Sequence, residues 1–232
     1  MSLEVRHHHH PTMIERRVHA LVAGLVLLAI AAVLTVLVAI DPTSPPFQPL
    51  DDRWLTFMEG HRGAWLTRWA RIMSTIGSAW VTFPLRVTVV AVLGLRRRWL
   101  QLGAFVGATV SSELLIGPLK ALLDRPRPDA GLLEVHSASF PSGHAIAGAV
   151  TAFGLVLILV PSSPRRLVWI GMAAGFAGLM ALSRTYLGVH WLTDVVAGGC
   201  IGTGLALVWP AALELARVRR RGPSAVEEGV EG

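Results

Sequence analysis

Charged residues are scarce in this sequence, and cysteine is almost absent. Only 16% of the 232 residues are charged, whereas a soluble domain usually carries about 25%. The single cysteine, Cys200, rules out an internal disulfide, and its apolar surroundings favour the inert thiol over a reactive thiolate. Lys120 is the only lysine in an arginine-rich chain. The composition therefore argues against an ordinary soluble domain and against thiol catalysis, and it singles out one ammonium group.

The sequence contains long apolar runs. Hydrophobic residues make up 53% of the chain, and the mean hydropathy is +0.55. Residues 18–40 contain no charged side chain, and a helix of about 20 residues already crosses a hydrocarbon core of about 30 Å. A cleaved signal peptide after Arg16 and Arg17 is the rival interpretation. We disfavour it because the run is too long and further apolar runs follow.

Five further runs predict an all-α, polytopic membrane protein with six transmembrane helices. The predicted spans are residues 18–40, 78–95, 99–119, 144–160, 167–182 and 192–213. Pro84 and Arg86 interrupt the second span, which predicts a kinked helix packed inside the bundle. Between the first two spans, residues 51–75 mix three tryptophans with charged residues. That pattern is typical of one or two amphipathic helices at the membrane interface.

Arginine clusters predict the orientation in the membrane, because they fall on alternate connections between the spans. The clusters are Arg16 with Arg17, Arg96 to Arg98, Arg165 with Arg166, and Arg217 with Arg219 to Arg221. The positive-inside rule places them, and both termini, in the cytoplasm. Most of the net charge of +6 then belongs to the cytoplasmic arginine clusters that fix the orientation in the membrane. We therefore expect no nucleic-acid partner.

The chain is expected to form one domain with two flanking segments. We predict a disordered leader over residues 1–16, a single membrane domain over residues 17–216, and a cytoplasmic tail over residues 217–232. The tract His7 to His10 could bind metal, but we assign it no catalytic role. Small residues at four-residue spacing predict close helix packing, with a homodimer as the second interpretation. These pairs are Gly103 with Gly107, Gly171 with Gly175, and Gly198 with Gly202.

Three polar segments lie at the ends of the apolar runs, all on the predicted extracytoplasmic face. In the last of them, His190 and Asp194 are four residues apart, which places them on one face of a helix. A carboxylate bonded to one imidazole nitrogen fixes the tautomer and leaves the other nitrogen free as a nucleophile or a base. Metal binding is the rival interpretation, which we disfavour because no further ligand set accompanies the pair.

The middle segment, Pro141 to His144, opens the fourth span. Ser142 is a natural N-cap, and Gly143 lets the backbone approach a ligand closely. The free N–H groups and the dipole of a helix N-terminus together favour an anion at this point. A plain helix cap is the alternative, but His144 directly after the cap could act on the bound anion as a general acid.

Cations dominate the first segment and recur at the end of the fifth span. Lys120 ends the third span, Arg127 follows in a loop stiffened by prolines, and Arg184 closes the fifth span. Each of them alone could be an ordinary residue that reaches the lipid headgroups. Together they could neutralise the oxygens of a phosphoryl group. We interpret the neighbouring Arg125 as a residue that reaches the headgroups.

In order and spacing, the three segments resemble the signature of the type 2 phosphatidic acid phosphatase superfamily, and no signature position departs from it. The matching positions are Lys120 with Arg127 and Pro128, then Pro141 to His144, then Ser183 and Arg184 with His190 and Asp194. The signature covers about a third of the chain, and the six predicted spans agree with the layout of the membrane members.

The resemblance implies a metal-independent phosphatase that needs no cofactor and forms a covalent intermediate. It implies that His190 is the nucleophile, that Asp194 orients it, and that His144 protonates the leaving oxygen. It also implies a phosphate cradle, made of Lys120, Arg127, Ser142, Gly143 and Arg184. The two histidines must then differ in protonation, which only their environments can arrange.

The implied substrate is a lipid phosphate of the bilayer, hydrolysed on the extracytoplasmic side of a bacterial inner membrane. Bacterial members of this size include undecaprenyl diphosphate, phosphatidylglycerophosphate and phosphatidate phosphatases, and the signature does not separate them. Two other functions stay open: a phosphotransferase with an acceptor other than water, and a non-catalytic protein that binds or transports lipid phosphates. The soluble vanadium haloperoxidases share the signature, but the apolar spans argue against that class.

Overall fold

The computed structural model describes residues 13–221, and in this range all regular secondary structure is helical. Eight helices follow one another without a strand among the described residues. They are α1 (Met13–Ile40), α2 (Gln48–Gly60), α3 (Ala64–Ile76), α4 (Ala79–Leu95), α5 (Trp99–Leu123), α6 (Gly143–Leu159), α7 (Arg166–Tyr186) and α8 (Leu192–Arg221). The prediction of an all-α protein is confirmed.

Each of the six predicted spans corresponds to a helix, but the helices differ in length. Four of them, α1, α5, α7 and α8, are long and apolar enough to cross a membrane, and α3 with α4 would make a fifth span, bent by 42°. The apolar helix α6 has only 17 residues, or about 26 Å at 1.5 Å per residue. By length and composition the structure thus supports four or five crossings, and the count of six stays a prediction.

Helix α8 lies at the centre of the bundle and packs against α1, α5 and α6. Its contact with α6 is close because Gly198 and Gly202 face the α6 backbone. A Cβ atom on Gly202 would lie 2.5 Å from the carbonyl oxygen of Ile146, a distance that no side chain tolerates. The close approach brings the N-terminus of α6 beside the start of α8, where Ser142 N donates to the Asp194 carbonyl oxygen at 3.1 Å.

The other predicted glycine pairs behave differently from each other. A Cβ atom on Gly107 would collide with the ring of Trp209 on α8, whereas Gly171 and Gly175 have no neighbour within 4 Å of such an atom. The prediction of helix packing is therefore confirmed for Gly107 and for the Gly198 pair. The α7 glycines make no such contact within the described part of the chain.

The segment between α1 and α4 forms two helices, as predicted for residues 51–75. The turn between α2 and α3 is held against the end of α7 by Tyr186, whose hydroxyl accepts from Gly63 N at 2.9 Å. Arg62 adds a bond to the Ala130 carbonyl oxygen at 2.8 Å. This hairpin of α2 and α3 is thus fixed to the α5–α6 loop, residues 124–142, and it contributes side chains to the site described below.

Arg86, which interrupts the second predicted span, has polar partners on two neighbouring helices. Its guanidinium donates to Glu113 on α5 at 2.6 Å and to the Thr151 hydroxyl on α6 at 3.0 Å. A cation in an apolar segment is costly unless it is paired. Arg86 therefore joins α4 to α5 and α6.

The ends of the helical bundle extend beyond the predicted domain boundaries. Helix α1 begins at Met13 rather than at residue 17, and Glu15 in its first turn complements the helix dipole. Helix α8 continues through Arg221, and Arg17 pairs with Glu214 at 2.6 Å, which ties the two ends together. The remainder of the predicted leader, with His7 to His10, and residues 222–232 of the tail lie outside the described residues.

Candidate active site

His190 occupies the short connection between α7 and α8, and Asp194 lies in the first turn of α8. His190 Nδ1 is 3.4 Å from Asp194 Oδ2, and His190 Nε2 is 3.3 Å from a guanidinium nitrogen of Arg127. A carboxylate can only accept and a guanidinium can only donate. The geometry therefore assigns the hydrogen to Nδ1 and leaves the lone pair on Nε2.

Burial keeps this imidazole neutral. The His190 side chain is 3% exposed. Burial lowers the pKa of His190 to about 3, while Asp194 opposes the shift. Between about pH 3 and the ordinary value of 6.5, the unfolded chain binds a proton that the folded chain does not. The contribution of His190 to stability is therefore complete above pH 6.5 and is lost as the pH falls towards 3. At neutral pH the group is an uncharged imidazole with a free lone pair on Nε2.

Asp194 is completely buried and fully hydrogen-bonded. Besides His190, it accepts from the Ser139 hydroxyl, from Trp191 N at 2.9 Å and from Arg125 Nη1 at 2.6 Å. A carboxylate with this many donors is held in a single orientation. The predicted pairing of His190 with Asp194 is thus part of a larger buried network.

Arg125 belongs to this network, and its interpretation as a headgroup contact is wrong. The residue is 1% exposed, and its guanidinium bridges Asp194 on α8 and Asp51 on α2, with Arg125 Nη2 2.8 Å from Asp51 Oδ2. It also stacks near the rings of Phe47 and Trp191, at 5.6 and 5.5 Å. Two buried carboxylates turn Arg125 inwards, because each of them would otherwise be an unpaired charge.

Arg127 lies beside His190 and is held by the backbone. Its Nε donates to the Ser137 carbonyl at 2.7 Å, and Nη2 donates to the Ala138 carbonyl at 3.1 Å. A further bond runs to the Val189 carbonyl. Burial lowers the pKa of Arg127 from its usual value, and the charge of Asp194 opposes the shift. The planar group is thereby fixed next to the free nitrogen of His190.

Lys120 approaches Arg127 from the last turn of α5. Its Nζ donates to the Ala138 carbonyl, which also accepts from Arg127. The two cations predicted from the first segment thus share one acceptor in the α5–α6 loop.

The middle segment takes the predicted position at the start of α6. Ser142 is the N-cap and Gly143 is the first helical residue, but the Ser142 side chain makes no capping bond. Ser142 is completely buried, and its Oγ has no hydrogen-bond partner. A buried hydroxyl without a partner is uncommon. At a helix N-terminus it lies where an anion would bind.

His144 and Arg184 meet at Ser74, a residue of α3 that the sequence did not single out. His144 Nε2 is 3.1 Å from the Ser74 carbonyl oxygen, and the Arg184 guanidinium donates to the Ser74 hydroxyl. Arg184 is 3% exposed, and its Nε has no partner. The α2–α3 hairpin therefore completes this side of the site.

The predicted site residues thus fall into two groups that the backbone joins. The His190 group holds His190, Asp194, Arg127 and Lys120, and the His144 group holds His144, Arg184 and Ser74. Ser142 lies between them through its bond to the Asp194 backbone. Among residues 13–221, no three His, Cys, Asp or Glu side chains converge to hold a metal ion.

One signal in the sequence could have found Asp51. Asp51, Trp54 and Met58 follow the i, i+3, i+7 spacing of one helix face, and both Asp51 and Met58 are buried. A carboxylate on the apolar face of an amphipathic helix indicates a buried partner. No comparable signal exists for Ser74 or Ser139, which are ordinary polar residues in their segments.

Comparison with known proteins gives a consistent result. The family model described as PAP2 superfamily matches residues 101–217. Phosphatidylglycerophosphatase B of Bacillus subtilis is 34% identical over 151 residues, which are 61% of this chain and 72% of the relative. Decaprenylphosphoryl-5-phosphoribose phosphatase of Mycobacterium tuberculosis is 32% identical over 126 residues, 49% of this chain and 60% of the relative.

Solved structures show the same likeness. The transmembrane PAP2-type phosphatidylglycerolphosphate phosphatase of Bacillus subtilis has a TM-score of 0.66 at 28% identity, over 82% of this chain and 96% of that one. LpxE of Aquifex aeolicus has a TM-score of 0.58 at 25% identity, over 68% of this chain and 93% of that one.

Proposed function

The chain belongs to the PAP2 superfamily, and on this basis we propose that it hydrolyses a lipid phosphate or an isoprenyl diphosphate through a phosphohistidine intermediate. The observation that carries the proposal is the state of His190, whose Nδ1 is bonded to Asp194 and whose Nε2 lone pair faces Arg127. An oriented neutral imidazole beside a fixed cation can attack phosphorus without first losing a proton.

In the first step, His190 Nε2 forms a bond to phosphorus while the bond from phosphorus to the lipid oxygen breaks. The electron pair of that bond stays on the leaving oxygen, which takes a proton from His144. The Ser74 carbonyl can only accept, so His144 Nε2 carries a hydrogen and Nδ1 is the nitrogen left to deliver the proton. Asp194 stabilises the positive charge that develops on His190.

In the second step, water attacks phosphorus and the bond to His190 Nε2 breaks. His144, now neutral, accepts a proton from the water, and His190 recovers its lone pair. Inorganic phosphate leaves, and both histidines return to their starting states. The same two residues therefore serve both halves of the reaction with opposite proton transfers.

The phosphoryl group would occupy the space between the two groups of residues. Lys120, Arg127 and Arg184 supply three cations, and the N-terminus of α6 supplies backbone N–H groups at Gly143 and His144. Two donors support this placement directly, because Ser142 Oγ and Arg184 Nε are buried without partners. A phosphoryl oxygen would satisfy both of them. None of these roles requires a metal ion.

The names of the relatives and the position of the polar segments along the chain support our inference about the substrate and the side of the membrane. The names of the relatives share a phosphate group on a lipid or a polyprenyl chain. The site lies at the ends of apolar helices, opposite the arginine clusters that the positive-inside rule assigns to the cytoplasm. We infer six crossings and an active site at the outer face of a bacterial inner membrane, where the substrate reaches it from the bilayer.

Phosphate release from purified protein tests the proposal. The substrates are phosphatidate, phosphatidylglycerophosphate and undecaprenyl diphosphate, each assayed in detergent with EDTA, with His190→Ala as the matched control. We expect release by the wild-type protein in EDTA and none by the variant. Release that EDTA abolishes and a divalent cation restores would contradict the metal-independent mechanism.

A further inference from the structure

We propose that Asp51 is a positioning residue of this reaction, which acts through Arg125 to preserve the negative charge that Asp194 presents to His190. The inference rests on the proposed function. Asp51 lies on α2, outside the three signature segments, and it touches neither histidine.

The contacts of Asp51 are unusually complete. Its side chain is entirely buried. Oδ1 accepts from Thr193 N at 2.9 Å, and Oδ2 accepts from the Thr193 hydroxyl at 2.6 Å and from Arg125 Nη2 at 2.8 Å. The Thr193 hydroxyl in turn accepts from Arg125 Nη1 at 2.9 Å. Both oxygens of the Asp51 carboxylate thus accept hydrogen bonds from Thr193 or Arg125. Thr193 directly precedes Asp194.

The first consequence is positional. Thr193 N is one of the unpaired N–H groups in the first turn of α8, the turn that also carries Asp194. Asp51 satisfies it from a different helix, so that α2 caps α8 in place of a local N-cap residue. The start of α8, and with it the Asp194 carboxylate, is thereby held in a fixed position relative to the α2–α3 hairpin.

The second consequence is electrostatic. Arg125 divides its two terminal nitrogens between Asp194 and Asp51. Two carboxylates and one guanidinium leave this buried group with a net charge of −1. Without the charge of Asp51, Arg125 would neutralise Asp194 alone, and the network would offer His190 no net negative charge. That charge is needed when phosphorylation makes the imidazole cationic.

Asparagine at position 51 separates the two consequences. Its amide oxygen can still accept from Thr193 N, so the cap is kept, but the charge is lost. Asp52 is the matched control, because it is exposed and undergoes the same change of charge when replaced by Asn. Its side chain reaches the network only indirectly, through Gln48, which donates to Asp52 Oδ1 at 2.9 Å and accepts from Arg125 Nη2 at 2.8 Å. Asp51→Glu keeps the charge and tests for rescue.

The experiment measures kcat and KM of the purified full chain with dioctanoyl phosphatidic acid and with p-nitrophenyl phosphate. We expect Asp51→Asn to lower kcat by roughly 10-fold or more with KM within about two-fold, a smaller loss than that of a direct transition-state contact. Asp52→Asn should change neither constant, and Asp51→Glu should recover part of kcat. An unchanged kcat in folded Asp51→Asn would overturn the proposal.

A double variant covers the case in which Asp51→Asn does not fold. Arg125→Gln alone leaves two unpaired buried carboxylates, whereas Asp51→Asn combined with Arg125→Gln returns the group to a net charge of −1. We expect kcat of the double variant to exceed that of either single variant, and a double variant no better than the worse single one would overturn the role. Phosphate release by neither the wild-type protein nor Asp52→Asn would instead contradict the proposed function itself.

Discussion

The two histidines of the site lie in contrasting surroundings. Around His190, the charged groups are tied to one another and to the backbone. Asp194 has four donors, Arg125 is shared by two carboxylates although its Nε has no partner, and Arg127 is held by backbone carbonyls. Around His144, Ser142 Oγ and Arg184 Nε are buried without partners. The His190 side is thus held mainly by contacts within the protein, whereas the His144 side keeps two buried donors that no described protein group satisfies. The contrast suggests that substrate completes the second half of the site.

The largest expected effect concerns the histidines themselves. His190→Ala should abolish turnover and leave no phosphoenzyme after acid quenching with labelled substrate. His144→Ala lacks only the proton for the leaving oxygen, so it should still hydrolyse p-nitrophenyl phosphate while losing roughly 10²–10⁴-fold on a lipid alkoxide. Phosphoenzyme in His190→Ala, or label on His144, would reverse the two assignments.

Replacing the arginines by lysine should separate the proposed phosphate contacts from the buried bridge of Arg125. Arg127→Lys and Arg184→Lys keep the charge but lose the planar donor pair, and each should cost roughly 10²-fold in kcat. Arg125→Lys should instead destabilise the fold, because an ammonium cannot bridge Asp51 and Asp194, and breaking a buried pair costs about 3–5 kcal/mol. Thermal unfolding in detergent and kcat, measured together, check both outcomes. An Arg125→Lys protein as stable as wild type would refute the buried bridge.

Ser139 and Ser142 allow the two sides of the site to be compared with the same substitution, since both serines are completely buried. Ser139 donates to the Asp194 carboxylate, so Ser139→Ala should lose about 1.5–3 kcal/mol of stability. Ser142 Oγ has no partner, so Ser142→Ala should leave the free energy of unfolding unchanged or slightly raised, while kcat/KM falls. Equal destabilisation by the two substitutions would show that the Ser142 hydroxyl has a partner in the free protein.

The smallest effect on stability and activity is expected from single cysteine substitutions in exposed loops, which test the orientation in the membrane. A cysteine at exposed Asp129, in the α5–α6 loop, should react with an impermeant thiol reagent in intact cells, whereas one at exposed Arg165, between α6 and α7, should react only after lysis. Native Cys200 lies within α8 and serves as the background. Labelling in the opposite order would place the site on the cytoplasmic side.

The all-helical architecture and the three polar segments can be predicted from the amino-acid sequence. Long apolar runs in a chain with few charges can satisfy the backbone in lipid only as helices. His190 and Asp194 share a helix face by spacing alone, and Ser142 with Gly143 marks the start of α6. Local rules are sufficient for these features, because each depends on residues within one turn of one another.

The groups that surround those residues depend on how the helices pack and cannot be predicted from local sequence. The position of Arg125 beside Arg127 predicts a headgroup contact, yet Arg125 is buried because Asp51 and Asp194 bind it from helices far apart in sequence. Ser74 and Ser139 entered the site in the same way, through the docking of the α2–α3 hairpin and the α5–α6 loop. A buried polar side chain needs a hydrogen-bonding or ionic partner, because burial without one is costly. Helix packing determines which partner lies within reach.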